Sequence, residues 1–141
     1  ARPGLACEHP QLSLPELLGR AHFVSLHLPL RPETRGLIGA AELAAMRPGA
    51  CLINTARGSL VDQAAVAAAL TSGRLGGFAA DVLDPEPPTP HDPLLRHPRA
   101  LITPHVASLT ASTYRELCML SAQHVLAILR GETVDARFVH P

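Results

Sequence analysis

Residues 50–58 read ACLINTARG, and the predicted architecture follows from this stretch. Its first half is an apolar run typical of a buried strand, and its second half is a polar turn that ends in an arginine and a glycine. The same pattern returns twice downstream, where residues 76–82 lead toward Glu86 and residues 100–103 lead to His105. Open α/β sheets bind ligands at the carboxyl ends of their strands. We therefore expect a guanidinium, a carboxylate and an imidazole to share one cleft.

The surrounding sequence alternates predicted strands with predicted helices. Strands are predicted over residues 22–27, 50–54, 76–82 and 100–103. Helices are predicted over residues 15–20, 40–46, 63–70 and 108–130. The predicted caps are Ser13 or Leu14 for the first helix, Asp62 for the third and Ser108 for the last. Strands that alternate with helices indicate parallel βαβ units, so the predicted fold class is α/β.

The last predicted helix carries an apolar stripe. The stripe consists of Leu117, Leu120, Val125 and Ile128, and Gly131 provides the stop signal. Such a stripe is typical of a side buried in a core, or of a surface that packs against a second chain.

The segment between the third and fourth strands is rich in proline. Residues 84–98 read DPEPPTPHDPLLRHP, and proline lacks a backbone donor and fixes φ. We expect this segment to be a loop that is neither helical nor part of a sheet. A stiff loop of this kind can hold Glu86 in place at a small cost in conformational entropy.

Composition limits the class of partner. The 141 residues suffice for one domain with a hydrophobic core, and 47% of them are apolar. Lys plus Arg (12) balance Asp plus Glu (12), so we expect neither a nucleic-acid nor an anionic-membrane partner. No stretch approaches the ~18 consecutive apolar residues of a membrane span. Residues 1–12 contain no apolar core of a signal peptide.

The cysteines and histidines do not form metal-binding patterns. Cys7, Cys51 and Cys118 are odd in number and far apart, which predicts neither a zinc pair nor a disulfide framework. This favours a reducing cytoplasm. His91 and His97 lack a helical i, i+4 spacing or a cysteine partner, so we expect no metal site.

Several short motifs occur in order along the chain. They are HLPL (27–30), PETRGLI (32–38), NTARG (54–58), DV (81–82), EP (86–87) and TPH (103–105). In this order and at this spacing they resemble the D-isomer-specific 2-hydroxyacid dehydrogenase family, which is NAD(P)-dependent. The resemblance extends over roughly residues 12–131. It implies an oxidoreductase with a Rossmann-like, doubly wound parallel sheet.

The resemblance assigns the catalytic roles to Arg57, Glu86 and His105. Arg57 would hold the carboxylate of the acid, because a guanidinium matches a carboxylate with two parallel bonds. His105 would be the general acid and base at the carbonyl oxygen. Glu86 would be the partner of the imidazole and favour its charged form. The substrate would be a small 2-hydroxy or 2-oxo acid.

The resemblance also implies a dinucleotide site for NAD or NADP. Its contacts would fall on Leu28, Pro29, Thr55, Ala56, Arg57, Asp81 and His105. Leu28 and Pro29 would line the adenosine pocket, and Asp81 would bond the nicotinamide carboxamide. The cofactor would supply the hydride.

The 141 residues lack the family's opening strands and its Gly-x-Gly-x-x-Gly turn. The resemblance therefore implies the downstream part of the nucleotide domain over residues 1–131, including the helix 108–130, with residues 132–141 as a tail leading toward a substrate domain. The strand at residues 22–27 would be an exposed edge, prone to pairing with another chain. Without the helix N-terminus that cradles pyrophosphate, these residues alone should bind dinucleotide poorly.

Other interpretations stay open for the sequence. Taken singly, Arg57 could be a solvated surface residue, Glu86 a solubilising one, His105 part of a helix start and Asp81 a turn cap, while Leu28 and Pro29 could serve packing alone. For the whole chain, the alternatives to an enzyme are a dinucleotide-sensing protein similar to a corepressor, or an inactive remnant that associates. A homodimer is implied by the family resemblance alone.

Overall fold

A computed structural model describes residues 9–134. Its strands are β1 (Phe23–Leu26), β2 (Cys51–Asn54), β3 (Gly77–Ala80) and β4 (Ala100–Ile102). Its α-helices are α1 (Leu14–Arg20), α2 (Ala40–Ala45), α3 (Gln63–Thr71) and α4 (Ala111–Leu129), and 3-10 turns span Pro32–Thr34, Gly58–Leu60 and Pro93–Arg96. The chain divides into two compact units, of which the first ends at His105 and the second begins at Val106.

The first unit is built on a parallel sheet with the strand order β1-β2-β3-β4. Val24, Leu52, Phe78 and Ala100 occupy one row across it. The prediction of an α/β fold with four strands side by side is confirmed. The third strand is shorter than predicted and ends at Ala80, so Asp81 lies just beyond its carboxyl end.

Three helices cover one face of the sheet. Leu18 of α1, Leu43 of α2 and Val66 of α3 belong to one buried cluster with Leu52 and Phe78 of the sheet. Strand residues alternate between faces, so every second side chain points into this core. The opposite face carries half-buried and exposed side chains, with Phe23 70% and Leu101 66% exposed.

Two of the predicted helix starts are confirmed. Asp62 caps α3, because its carboxylate accepts the backbone N–H of Ala65 at 3.0 Å. Ser13 is the N-cap of α1, and its backbone N–H donates to the side chain of Glu16 at 3.0 Å.

The proline-rich segment differs from its prediction. It contains a 3-10 turn, Pro93–Arg96, although the sequence predicted no helical structure there. The physical reason is that the fixed φ of Pro93 suits the first position of a turn, where a missing N–H costs nothing. The carboxylate of Asp92 accepts the N–H of Leu94 at 2.9 Å and caps the turn.

The second unit contains α4, which starts later than predicted. Its cap is Thr110, whose hydroxyl accepts the N–H of Thr113 at 3.1 Å, so the assignment of Ser108 as cap was wrong. The predicted burial of its stripe was also wrong, because Leu117 is 58% and Ile128 64% exposed. The alternative use of the stripe, as a surface between two chains, stays a prediction. Within residues 9–134, no helix combines the length and the apolar character that a membrane crossing needs.

Candidate active site

A cavity of about 610 Å³ opens beside the carboxyl ends of β3 and β4. Asp81, Glu86 and His105 supply its ionisable lining. The rest of the lining is mainly apolar, including Leu83, Pro87, Pro88, Leu95, Leu101, Ile102 and Pro104. Apolar walls around a few convergent polar groups are the usual composition of a small-molecule site.

Glu86 and His105 meet in this cavity. The distance between Oε1 of Glu86 and Nδ1 of His105 is 2.5 Å. An ionised carboxylate can only accept, so this contact places a proton on Nδ1 and leaves Nε2 as the nitrogen that can exchange a proton with a ligand. The side chains are 51% (His105) and 45% (Glu86) exposed, and exposed pairs add only about 0–1 kcal/mol to stability. The pair therefore orients an imidazole more than it stabilises the fold.

The backbone at His105 is in the left-handed region. Its φ is 56°. Among the described residues other than glycine, only His105 has a positive φ. Such a conformation costs of order 1–3 kcal/mol, and residues that bear this cost cluster at functional sites. The backbone N–H of His105 donates to the carbonyl of Thr103 at 3.0 Å and closes the turn after β4. The turn thereby directs the imidazole toward Glu86.

Asp81 is buried at the end of β3, with 5% exposure. The hydroxyl of Thr103 donates to its Oδ1 at 2.5 Å. Its backbone N–H donates to the carbonyl of Asn54 at 3.0 Å, and the N–H of Thr103 donates to the carbonyl of Ala80 at 2.9 Å. These bonds fix a carboxylate at the cavity wall, where it can accept hydrogen bonds from an amide. The contribution of Thr103 was not predicted from the sequence.

Asn54 shapes the turn that carries Arg57. Its side chain is buried, donates from Nδ2 to the carbonyl of Arg57 at 2.8 Å and accepts the N–H of Ala56 at 3.1 Å. This role was also missed, although an amide at the end of an apolar strand is a usable signal. Arg57 itself is exposed, and its guanidinium donates to the carbonyl of Ala56 at 2.6 Å.

The side chains of Arg57, Glu86 and His105 were predicted to share one cleft, and the structure brings two of the three together. Glu86 and His105 are in contact and line one cavity, but Arg57 is not part of that lining. Arg57 follows β2, and His105 follows β4, so both lie at the carboxyl edge of the same parallel sheet.

The remaining predicted cofactor residues follow β1 and β2 at this edge. Leu28 and Ala56 are half-buried and pack against the core, while Pro29 and Thr55 are exposed. None of the four lines the cavity beside His105. In residues 9–134, no group of three or more His, Cys, Asp or Glu side chains is arranged to hold a metal ion.

Known proteins resemble this chain in sequence and in structure. A glyoxylate reductase of Aeropyrum pernix is 40% identical over 120 residues, which are 85% of this chain and 36% of that protein. A D-3-phosphoglycerate dehydrogenase of Mycobacterium tuberculosis is 43% identical over 123 residues, which are 87% of this chain and 23% of that protein. The chain therefore spans about a third or less of the length of these curated relatives.

Solved structures of the same kind share the fold. The NAD complexed form of a D-isomer specific 2-hydroxyacid dehydrogenase from Lactobacillus delbrueckii ssp. bulgaricus matches with a TM-score of 0.82 at 34% identity, over 89% of this chain and 42% of that one. The family model for the NAD binding domain of D-isomer specific 2-hydroxyacid dehydrogenases matches residues 5–107. By its sequence, its parallel sheet and its matched residues, the chain belongs to the D-isomer specific 2-hydroxyacid dehydrogenase family.

Proposed function

We propose that this chain provides the proton-transfer pair and part of the dinucleotide site of an oxidoreductase that interconverts 2-hydroxy and 2-oxo acids. The observation that carries the proposal is the 2.5 Å contact between Glu86 and His105 beside the carboxyl ends of β3 and β4. Membership of the family supports it. The names of the relatives, glyoxylate reductase and D-3-phosphoglycerate dehydrogenase, support a small acid as substrate.

Each ionisable residue has a distinct role in the proposed reaction. Arg57 binds the carboxylate of the acid through its planar guanidinium, since its side chain is exposed and can turn away from Ala56. His105 donates a proton from Nε2 to the carbonyl oxygen during reduction and takes it back during oxidation. Glu86 accepts from Nδ1 and holds the ring so that Nε2 faces the ligand.

The site has groups that suit a nicotinamide dinucleotide, NAD or NADP. When bound, the cofactor supplies or accepts the hydride. The fixed carboxylate of Asp81 suits the N–H groups of a carboxamide, because Thr103 holds it at the cavity wall. Leu28, Pro29, Thr55, Ala56, Arg57 and His105 complete the proposed contacts. The 141 residues contain no Gly-x-Gly-x-x-Gly turn, so we expect these residues alone to bind dinucleotide weakly.

The organisation of the chain is part of the proposal. Residues 1–131, of which 9–131 are described, form the downstream part of the NAD(P)-binding domain. Residues 132–141 lead toward a substrate domain, although residues 135–141 lie outside the described part of the chain. We further propose a cytoplasmic homodimer, which family membership supports. We propose neither a nucleic-acid nor a membrane partner, as the balanced charge of 12 against 12 supports.

The test is an assay of the full-length gene product with NADH or NADPH and a panel of small 2-oxo acids. We expect at least one acid to cause oxidation of the cofactor. We expect His105→Ala to lower kcat by about 10²–10⁴-fold while binding of the cofactor persists.

The matched control is His91→Ala, which removes an exposed histidine of the proline-rich loop. This variant should keep the wild-type rate. A His105→Ala variant as fast as wild type would show that the proton donor is another group. If the protein binds the cofactor tightly but none of the acids causes the cofactor to be oxidised, a dinucleotide sensor would be favoured instead.

A further inference from the structure

The segment after Arg57 holds the start of the proline-rich loop. Gly58 is buried and lies against the backbone of Leu83 and Asp84, so close that a Cβ at position 58 would lie 2.7 Å from the N atom of Asp84. The hydroxyl of Ser59 donates to Oδ2 of Asp84. The turn before α3 and the turn after β3 are therefore in direct contact.

Gln63, the first residue of α3, makes the most specific of these contacts. Its Oε1 accepts the backbone N–H of Asp84 at 3.3 Å, and its Nε2 donates to the backbone carbonyl of the same residue. A side-chain amide carries a donor and an acceptor in one plane, so it can satisfy both backbone groups at once. Glutamate at this position would keep the acceptor and lose the donor.

The ion pair at the same place contributes less. The guanidinium of Arg35 lies 3.6 Å from Oδ2 of Asp84, but these side chains are 62% and 49% exposed. Pairs as exposed as this add little to stability. The stronger constraints on Asp84 are the two bonds from Gln63 to its backbone and the bond from Ser59 to its carboxylate.

Two prolines carry this anchorage to Glu86. Pro85 and Pro87 flank the glutamate, and their rings fix φ, which removes much of the freedom of a short loop. Only Pro85 separates Asp84 from Glu86, whose Oε1 lies 2.5 Å from Nδ1 of His105.

We propose that Gln63, assisted by Ser59, is a positioning residue that acts through Asp84 to hold Glu86 against His105. Gln63 is not among the residues that line the cavity, and its side chain bonds to Asp84, so its effect on the site is indirect. Its consequence for turnover rests on the proposed oxidoreductase function. Its effect on the Glu86–His105 contact does not.

The first test reads the imidazole directly in the 141-residue chain. Nitrogen-15 shifts of the neutral His105 ring report which nitrogen carries the proton, and the contact with Glu86 predicts Nδ1–H. Glu86→Ala gives the tautomer ratio of the unanchored ring. We expect Gln63→Ala to move the ratio at least halfway to that value, and Ser59→Ala to move it less in the same direction. Gln123→Ala, on exposed α4 surface, should leave it unchanged.

Each outcome of this test decides the matter. A folded Gln63→Ala variant with the wild-type tautomer ratio would overturn the proposal. If Gln63→Ala does not fold, Gln63→Glu serves instead, since it keeps size and acceptor and loses the donor to Asp84. If the Gln63→Glu variant and the Ser59→Ala variant both keep the wild-type tautomer ratio, the proposal is equally overturned.

The second test measures turnover in the full-length gene product. We expect Gln63→Ala to lower kcat by about tenfold, with the KM for cofactor unchanged, and to cause no further loss in a Glu86→Ala background. Additive losses would mean that Gln63 acts by another route. If the wild type has no turnover, the proposed function fails, and the tautomer ratios still decide the positioning role.

Discussion

Buried polar side chains organise this site, although the sequence gives them little prominence. Asn54 and Asp81 are the buried polar or charged residues of the described core, with 1% and 5% exposure. Asn54 is the last residue of β2 and Asp81 follows the end of β3. Each is bonded to the backbone or side chain of a neighbouring turn. Burial without partners would cost several kcal/mol, so these bonds fix the turns in one arrangement.

Replacing Asn54 tests this directly. Asn54→Ala removes two partly buried hydrogen bonds, so the carbonyl of Arg57 loses its donor and the N–H of Ala56 loses its acceptor. We expect the free energy of unfolding to fall by about 2 kcal/mol, measured by urea denaturation. The adjacent Thr55→Ala, at an exposed position, should change it by less than about 0.5 kcal/mol. Equal effects of the two changes would contradict the role of Asn54.

From the sequence, the positions of individual site residues could be predicted only where they belong to motifs that occur in a recognisable order. The Glu86–His105 contact followed from an ordered set of motifs, because neither residue is unusual alone. The place of Arg57 could not be predicted, since it depends on the bonds that Asn54 makes around the turn. The role of Gln63 was equally hidden, because its partner is 21 residues away along the chain.

Among the elements, the turn before α3 and the turn after β3 can approach closely because Gly58 has no side chain. Gly58 lies at the start of the 3-10 turn after β2 and is buried against Leu83 and Asp84. An alanine there forces the backbone of the opposite turn to move, because the obstructing atoms are main-chain atoms and not the end of a flexible side chain.

Gly58→Ala is therefore expected to destabilise the fold by about 1–3 kcal/mol. The same variant should weaken the Glu86–His105 contact, which the His105 tautomer ratio would report. The matched change is Gly19→Ala in α1, where the added Cβ meets nothing within 4 Å. That change should raise stability by about 0.5–1 kcal/mol, because alanine favours helix. A Gly58→Ala variant as stable as wild type would refute the tight contact.

Helix α1 carries a pH-dependent cap. The hydroxyl and the backbone N–H of Ser13 both donate to the carboxylate of Glu16. These bonds, the hydroxyl bond more than the backbone bond, lower the pKa of Glu16 below the ordinary 4.5. A lowered folded-state pKa means that this stabilisation is present above 4.5 and is lost as the pH falls through the folded value. The stability difference between wild type and Glu16→Ala should shrink over that acidic window. A difference independent of pH would contradict the cap.

Helix boundaries were predicted well where the cap is local. Asp62 and Ser13 lie next to clear apolar periodicity, and the structure places both as caps. The start of α4 was missed because Ser108 and Thr110 are both good caps, and only the backbone turn at residues 106–109 selects the second. The 3-10 turn at Pro93–Arg96 was not predicted, because proline disfavours the interior of a helix but suits the first position of a turn.

For the whole molecule, the exposed apolar side chains of α4 are the feature that the chain by itself does not explain. Leu117, Val125 and Ile128 are 58%, 56% and 64% exposed, on a helix of 19 residues. We expect Leu117→Ser combined with Ile128→Ser to convert the proposed dimer to single chains in sedimentation velocity. Gln123→Ser, an exposed polar position on the same helix, should keep the dimer. A wild type that sediments as one chain would contradict the assembly.

The fold is shared over 89% of this chain with an NAD-complexed dehydrogenase, while the chain spans 42% of that protein. The most direct measurement is therefore made on the full-length gene product, supplied with a 2-oxo acid and with NADH or NADPH deuterated at the transferable position. We predict a 2-hydroxy acid of D configuration with deuterium at its second carbon, formed by wild type and nearly absent with His105→Ala. A product without deuterium, or equal yield from the His105→Ala variant, would contradict hydride transfer supported by the Glu86–His105 pair.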